Sequence, residues 1–246
     1  MHDKFEFRHR AREVSRIEAF SDVVFGFALT LIVVSLEVPK DYHELMDVLR
    51  GVPAFAICFA TLMWIWFEHH KFFKRYAMHD PVTIVLNAVL LFVVLFYTYP
   101  LKFIFAVATR TIRGGGDGAQ LFVIYGVGFI GIFSLLFVMY WRAWRMRERL
   151  ELNEFEVHDT VTSLHMYAAY VVVGILSIAV AQSVPSRLLG LAGWCYFLLG
   201  PVSAFIGYRR GSQRGDLHRR HVQAAQTAPN TSASAAVPTV AANGPN

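Results

Sequence analysis

Six apolar runs of membrane-spanning length, separated by short basic clusters, leave this chain few possible folds. They occupy residues 18–38, 52–73, 82–107, 121–141, 161–183 and 188–208. A helix of about 21 residues rises roughly 32 Å, enough to cross a hydrocarbon core of about 30 Å. Inside that core every backbone polar group has to be satisfied within the span, so helices are the natural solution. The predicted class is all-α: a polytopic membrane protein with six transmembrane helices. Composition agrees, since 55% of the 246 residues are hydrophobic and 17% are charged, whereas soluble domains are about 45–50% apolar.

The charges predict an orientation. Basic residues gather before the first run (Lys4, Arg8, Arg10, Arg12, Arg16) and between the second and third (Lys71, Lys74, Arg75). They gather again between the fourth and fifth (Arg142, Arg145, Arg147, Arg149) and after the last. The positive-inside bias then places both termini in the cytoplasm. Topology alone accounts for the net charge of +5, so no nucleic-acid partner is expected. The domain plan is a basic cytoplasmic segment 1–17, a transmembrane domain 18–208 and a cytoplasmic, largely disordered tail 209–246. The first run is longer than the core of a cleavable leader, and none is expected. Cys58 and Cys195 fall inside apolar runs and read as small buried hydrophobes, not as a disulfide pair.

Asp22 lies near the start of the first run. A carboxylate near hydrocarbon is costly unless paired or hydrated, so it marks either a functional site or, with Ser21, a helix cap at headgroup depth. On a helical wheel Asp22, Gly26, Thr30 and Glu37 share an arc of about 80°. Phe20, Val24, Phe27, Leu31, Val34 and Val38 share a second arc about 120° away. Taken alone, the polar arc would face water and the apolar arc lipid or other helices.

The second run ends at Trp64 to His70, where Trp66 and His70 are four apart and stack on one helix face. Metal binding by Glu68, His69 and His70, with His158 or His165 as distant partners, has little support. Adjacent histidines diverge on a helix and no His-Glu-x-x-His spacing occurs. No metal and no cofactor are expected. Asn87, an isolated amide in the third run, needs a hydrogen-bond partner on another helix. The glycine-rich stretch 113–118 lacks the flanking strand and Gly-Lys-Ser/Thr of a phosphate loop and reads as a turn. No nucleophile–base–orienter set is legible, so an enzyme is not expected.

Arg16 followed by Phe20-Ser21-Asp22 resembles the signature of the transmembrane protein 175 family of potassium channels. The resemblance extends to Trp66 with His69 and His70 at the end of the second run, and to Asn87 early in the third. It implies a passively conducting, potassium-preferring channel in the cell membrane, a homotetramer whose pore is lined by the first helix of each subunit. Carried over, Phe27, Leu31 and Val34 become an apolar constriction, with Thr30 at its border. Arg16, Phe20, Ser21, Asp22, Trp66, His69, His70 and Asn87 become a network holding the helices in register. The chain departs from the family at Phe27, where Ile or Leu is usual, so either Phe27 or Leu31 is the narrowest point. A carbonyl-lined Thr-Val-Gly-Tyr-Gly filter is absent, and an apolar ring would act by stripping ion hydration. The competing expectation is a proton- or cation-coupled secondary transporter using Asp22 and the second-run histidines.

Overall fold

The structure is a computed structural model describing residues 7, 10, 14–34, 40–108, 118–185 and 190–227. Among these the only regular elements are helices: α1 Arg16–Val34, α2 Tyr42–Arg50, α3 Val52–Tyr76, α4 Pro81–Ala108, α5 Gly118–Arg145 and α6 Glu154–Ser183. A short α7, Gly190–Trp194, then passes through a 3₁₀ turn, Cys195–Leu198, into α8, Leu199–Thr227. Five stretches are long and apolar enough to span a membrane, on α3, α4, α5, α6 and the run from Leu191 to Gly215. The described part of α1 is a sixth apolar helix, of nineteen residues. Glu37 and Val38, expected at its end, lie outside the described residues, as do residues 113–117 of the glycine-rich stretch. Gly118 opens α5.

The last helix differs from expectation at both ends. The expected tail from residue 209 is helical as far as Thr227. Arg209, Gln213, Arg214, Arg219, Gln223 and Ala224 are good helix formers. Extending an existing helix carries no nucleation cost, so polar residues prolong it past the membrane. Nearer its start, the 3₁₀ turn ends three residues before Pro201. Proline has no N–H to bond the carbonyl four residues back, and its ring crowds that carbonyl, so the chain tightens there.

Helix α3 is central, packing against α1, α4 and α5, while α4 bridges α1 and α5. Helix α6 lies along α5 and carries α8 on its other side. The core is mainly aromatic. Trp64 sits 4.9 Å from Phe133 and 5.2 Å from Tyr170, and Tyr140 sits 5.0 Å from Tyr167. Such tilted and edge-on contacts each add about 0.5–1.5 kcal/mol beyond area burial. Where α4 and α5 cross, Gly128 faces the buried ring of Tyr97. A Cβ there would lie 2.4 Å from the ring's Cδ2, and Tyr125 at 5.3 Å restricts that ring's retreat. Gly128→Ala is therefore expected to destabilise the protein by about 1–3 kcal/mol through overpacking. A thermal melt in detergent checks this; an unchanged midpoint would show that the helices separate freely there.

One end of the bundle is tied by ion pairs. Asp80 caps α4 through the Thr83 amide and hydroxyl, at 3.3 and 2.7 Å, with Pro81 in the first helical position. It also pairs with Arg142 at the end of α5. Partial burial opposes the charged form of Asp80, but the Thr83 hydroxyl and amide and the Arg142 guanidinium together outweigh it and hold the carboxyl below its ordinary value. A depressed carboxyl stabilises above its unfolded value, about 3.9, and that contribution is lost as pH falls through the folded value. Unfolding midpoints followed below about pH 4 should drop more steeply in the parent than in Asp80→Asn; parallel curves would remove Asp80 from the acid response.

The amino-terminal segment joins the same end. Arg10 makes a two-pronged pair with the buried Glu156, at 3.2 and 2.9 Å, and also donates to the carbonyls of Arg75 and Glu151. Glu156 closes a capping box with Asn153 at the start of α6. Phe7 lies under the Arg75 guanidinium and edge-on to Tyr76.

Candidate functional site

Helix α1 begins with a capping box that the sequence reading passed over. The Ser15 amide donates to Glu18 Oε2 at 2.9 Å, and the Glu18 amide donates to Ser15 Oγ at 3.2 Å. The Ser-x-x-Glu spacing at 15–18 was a visible signal for it. From that start the helix divides into two faces. Glu18, Ser21, Phe25, Ala28 and Ile32 are buried against α3 and α4. Phe20, Phe27 and Leu31 stay 63%, 64% and 42% exposed, with Asp22, Gly26 and Thr30 also exposed. Both arcs of the sequence wheel are therefore largely uncovered in one chain, and the buried face is a third one between them.

On the buried side a hydrogen-bond chain ties three helices, and its polarity follows from its ends. Ser21 Oγ donates to the Ile17 carbonyl at 2.8 Å, so it accepts from Asn87 Nδ2 at 3.0 Å. With its amide nitrogen committed, Asn87 presents Oδ1 to His69 Nε2 at 2.7 Å. A carbonyl oxygen only accepts, so His69 carries its proton on Nε2. Asn87 and His69 are 3% and 1% exposed. Their surroundings are apolar: Phe25 stacks obliquely on the imidazole at 5.5 Å and Phe73 at 4.9 Å.

Asp22 belongs to a separate, more open contact. Its Oδ1 accepts from the Trp66 indole N–H at 2.8 Å, and the indole stacks on His70 at 5.5 Å and 19°. Arg16 is exposed, and no ion pair joins it to Asp22 among the described residues. The structure thus brings Asp22 to Trp66 and sends Asn87 to Ser21 and His69. Sequence reasoning had placed Asp22 in one network with Arg16, Trp66, His69, His70 and Asn87, through the family resemblance, without singling out its partner. It missed Trp66 as the donor, although an indole N–H near a carboxylate at matching depth is a readable pairing.

Glu68 faces away from this network, into the α3–α6 contact. It accepts from the Tyr167 hydroxyl at 2.6 Å and pairs with Lys71. His165 lies against Arg210, and His158 beside Asp159. Among the described residues no three His, Cys, Asp or Glu side chains gather as metal ligands. Of the expected constriction residues, Thr30 bonds its own helix, donating to the Gly26 carbonyl at 2.8 Å and leaving its oxygen lone pairs outward. Val34 ends the described part of α1, and its side chain lies outside the described residues.

The chain is similar in sequence and fold to known proteins. Residues 16–97, from the start of α1 through most of α4, match the family described as the endosomal/lysosomal potassium channel TMEM175. A potassium channel of Marivirga tractuosa is 37% identical over 220 residues, covering 82% of this chain and 89% of that protein. A potassium channel of Chamaesiphon minutus is 29% identical over 201 residues, 76% of this chain and 91% of the relative. A crystal structure of the potassium channel MtTMEM175, in a variant form bound to a nanobody fusion, superposes with a TM-score of 0.68 at 35% identity. That match covers 84% of this chain and 97% of the crystallised one. A matched signature at α1, a shared helix plan and identity along nearly the whole length point the same way: this chain belongs to the TMEM175 potassium channel family, a family of channels and not of enzymes.

Proposed function

We propose that the protein is one subunit of a homotetrameric, potassium-preferring channel of the cell membrane, with both termini on the cytoplasmic side. The observation that carries the reading is the division of α1. Its buried face is fully used inside the chain, while Phe20, Phe27, Thr30 and Leu31 form an exposed stripe at helical spacing. One helix cannot enclose a pore, and a closed symmetric ring of copies would bring four such stripes around an axis. Phe27 and Leu31, with Val34 beyond them, then supply apolar rings that oppose hydrated ions, and the outward lone pairs of Thr30 offer a cation an oxygen ligand. Potassium sheds water at lower cost than sodium, so a narrow apolar ring favours it. In this reading the Ser21–Asn87–His69 chain and the Asp22–Trp66 contact hold α1 in register and do not touch the ion.

Protein reconstituted into liposomes under a potassium gradient tests the proposal. Expected are unitary currents larger in potassium than in sodium, from a species that native mass spectrometry counts as four copies. A slow, saturating, proton-coupled flux without unitary currents would replace the channel by a coupled transporter.

A further inference from the structure

At the end of the bundle where α6 begins, cations lie over aromatic rings of their own helix. Lys71 lies over Phe67 on α3 at 5.5 Å, Arg145 over Trp141 on α5 at 5.0 Å, and Arg209 over Phe205 on α8 at 5.0 Å. All three are i,i+4 pairs whose rings are exposed on the outside of the bundle. They belong to the same end. Helix α3 reaches α6 there, with Tyr76 bonded to Thr160. Helix α8 runs antiparallel to α6, as Ser203 meets Tyr170, Arg210 meets His165 and Arg214 meets Asp159. Helix α5 ends in the short turn that leads into α6.

Arg10, Lys71, Arg142, Arg147 and Arg214 each pair with a carboxylate. Arg145 and Arg209 are exposed and pair with no carboxylate among the described residues; each rests only on its ring. An exposed aromatic prefers the boundary between hydrocarbon and headgroups. A guanidinium resting over such a ring has N–H groups to spare at that depth, and these suit phosphate oxygens.

We propose that Arg145 with Trp141, and Arg209 with Phe205, bind the phosphate headgroups of anionic phospholipids around the subunit. The partner is a lipid because the rings place the cations beside exposed ring and aliphatic surface: Val138 on α5, and Tyr208 near Phe205 on α8, are exposed. Charge complementarity selects an anionic lipid, and each base near such a surface contributes about fivefold in affinity.

The test uses the full chain purified with equimolar phosphatidylglycerol and phosphatidylcholine, with bound lipid counted by native mass spectrometry. Phosphatidylglycerol is expected in excess, and Arg145→Gln with Arg209→Gln is expected to lower that excess on the order of tenfold or more. The double variant should melt as the parent does in phosphatidylcholine alone, since neither arginine has a described bond inside the chain. The charge-keeping pair Arg145→Lys and Arg209→Lys should retain most of the preference. Equal retention of the two lipids by the parent, or an undiminished excess in the glutamine variant, would overturn the proposal. Inorganic phosphate displacing the lipid at low millimolar concentration would overturn it as well, by assigning the arginines to a soluble anion. If the double variant does not fold, the parent's ratio at low and high salt decides: a preference that survives high salt unchanged is not the one proposed.

Discussion

Asn87→Leu is expected to destabilise the protein by about 3 kcal/mol, despite filling much the same space with an apolar side chain. The amide stands between two helices and satisfies His69 on one and Ser21 on the other. Ser21 keeps its bond to the Ile17 carbonyl, but the His69 N–H would be left buried with no acceptor. An orphaned buried donor costs about 1–3 kcal/mol, more than the bond's net worth when present. The measurement is the thermal or denaturant midpoint in detergent, with His69→Phe as the second arm of a double-mutant cycle. Removing both partners leaves no orphan, so the double variant should recover part of the loss. Additive losses, or a harmless Asn87→Leu, would show that packing alone holds α1 to α3 and α4.

Phe27→Ala is expected to raise unitary conductance severalfold and to narrow the preference of potassium over sodium. The side chain is the most exposed of the apolar residues in the middle of α1. In a closed ring of four α1 helices it would be the bulkiest group near the axis. Exchanging a benzyl side chain for a methyl widens the ring and lets an ion keep more of its water, and a barrier lowered by about 1.4 kcal/mol multiplies a rate about tenfold. Leu31→Ala, one turn further along, should act in the same direction. The larger of the two effects identifies the narrower ring. If single-channel records show neither conductance nor ion preference moved by either change, α1 does not line the pore.

How much of this was legible beforehand depends on the range of the interaction concerned. The helical class and most of the helix positions follow from hydropathy and spacing, because both act over one or two turns; the signature residues of α1, α3 and α4 were singled out by their resemblance to a known family. The caps at Asp80, Asn153 and Ser15 are equally local and were there to be read. The continuation of α8 to Thr227 was misjudged because low hydrophobicity was taken for disorder, whereas a helix already nucleated in the membrane extends through polar residues at little cost. The partners of Asp22 and Asn87 were not legible. Both groups need a hydrogen bond, and several residues at similar depth could supply one; only the rotation of α1 against α3 and α4 selects Trp66 for the first and Ser21 with His69 for the second.

The same distinction holds for the pair between Arg10 and Glu156, 146 positions apart in the chain. No periodicity connects them, and the contact exists because packing α3 on α6 leaves a buried carboxylate facing the amino-terminal segment. Sequence alone determined that the chain is a bundle of membrane-crossing helices and that α1 has chemically distinct faces, since apolar length and helical pitch are properties of each segment by itself. Tertiary structure decided which face of α1 is spent inside the chain and which is left exposed. That choice depends on how side chains from α3 and α4 fill the space beside Phe25, Ala28 and Ile32, and complementary packing is a property of pairs of helices.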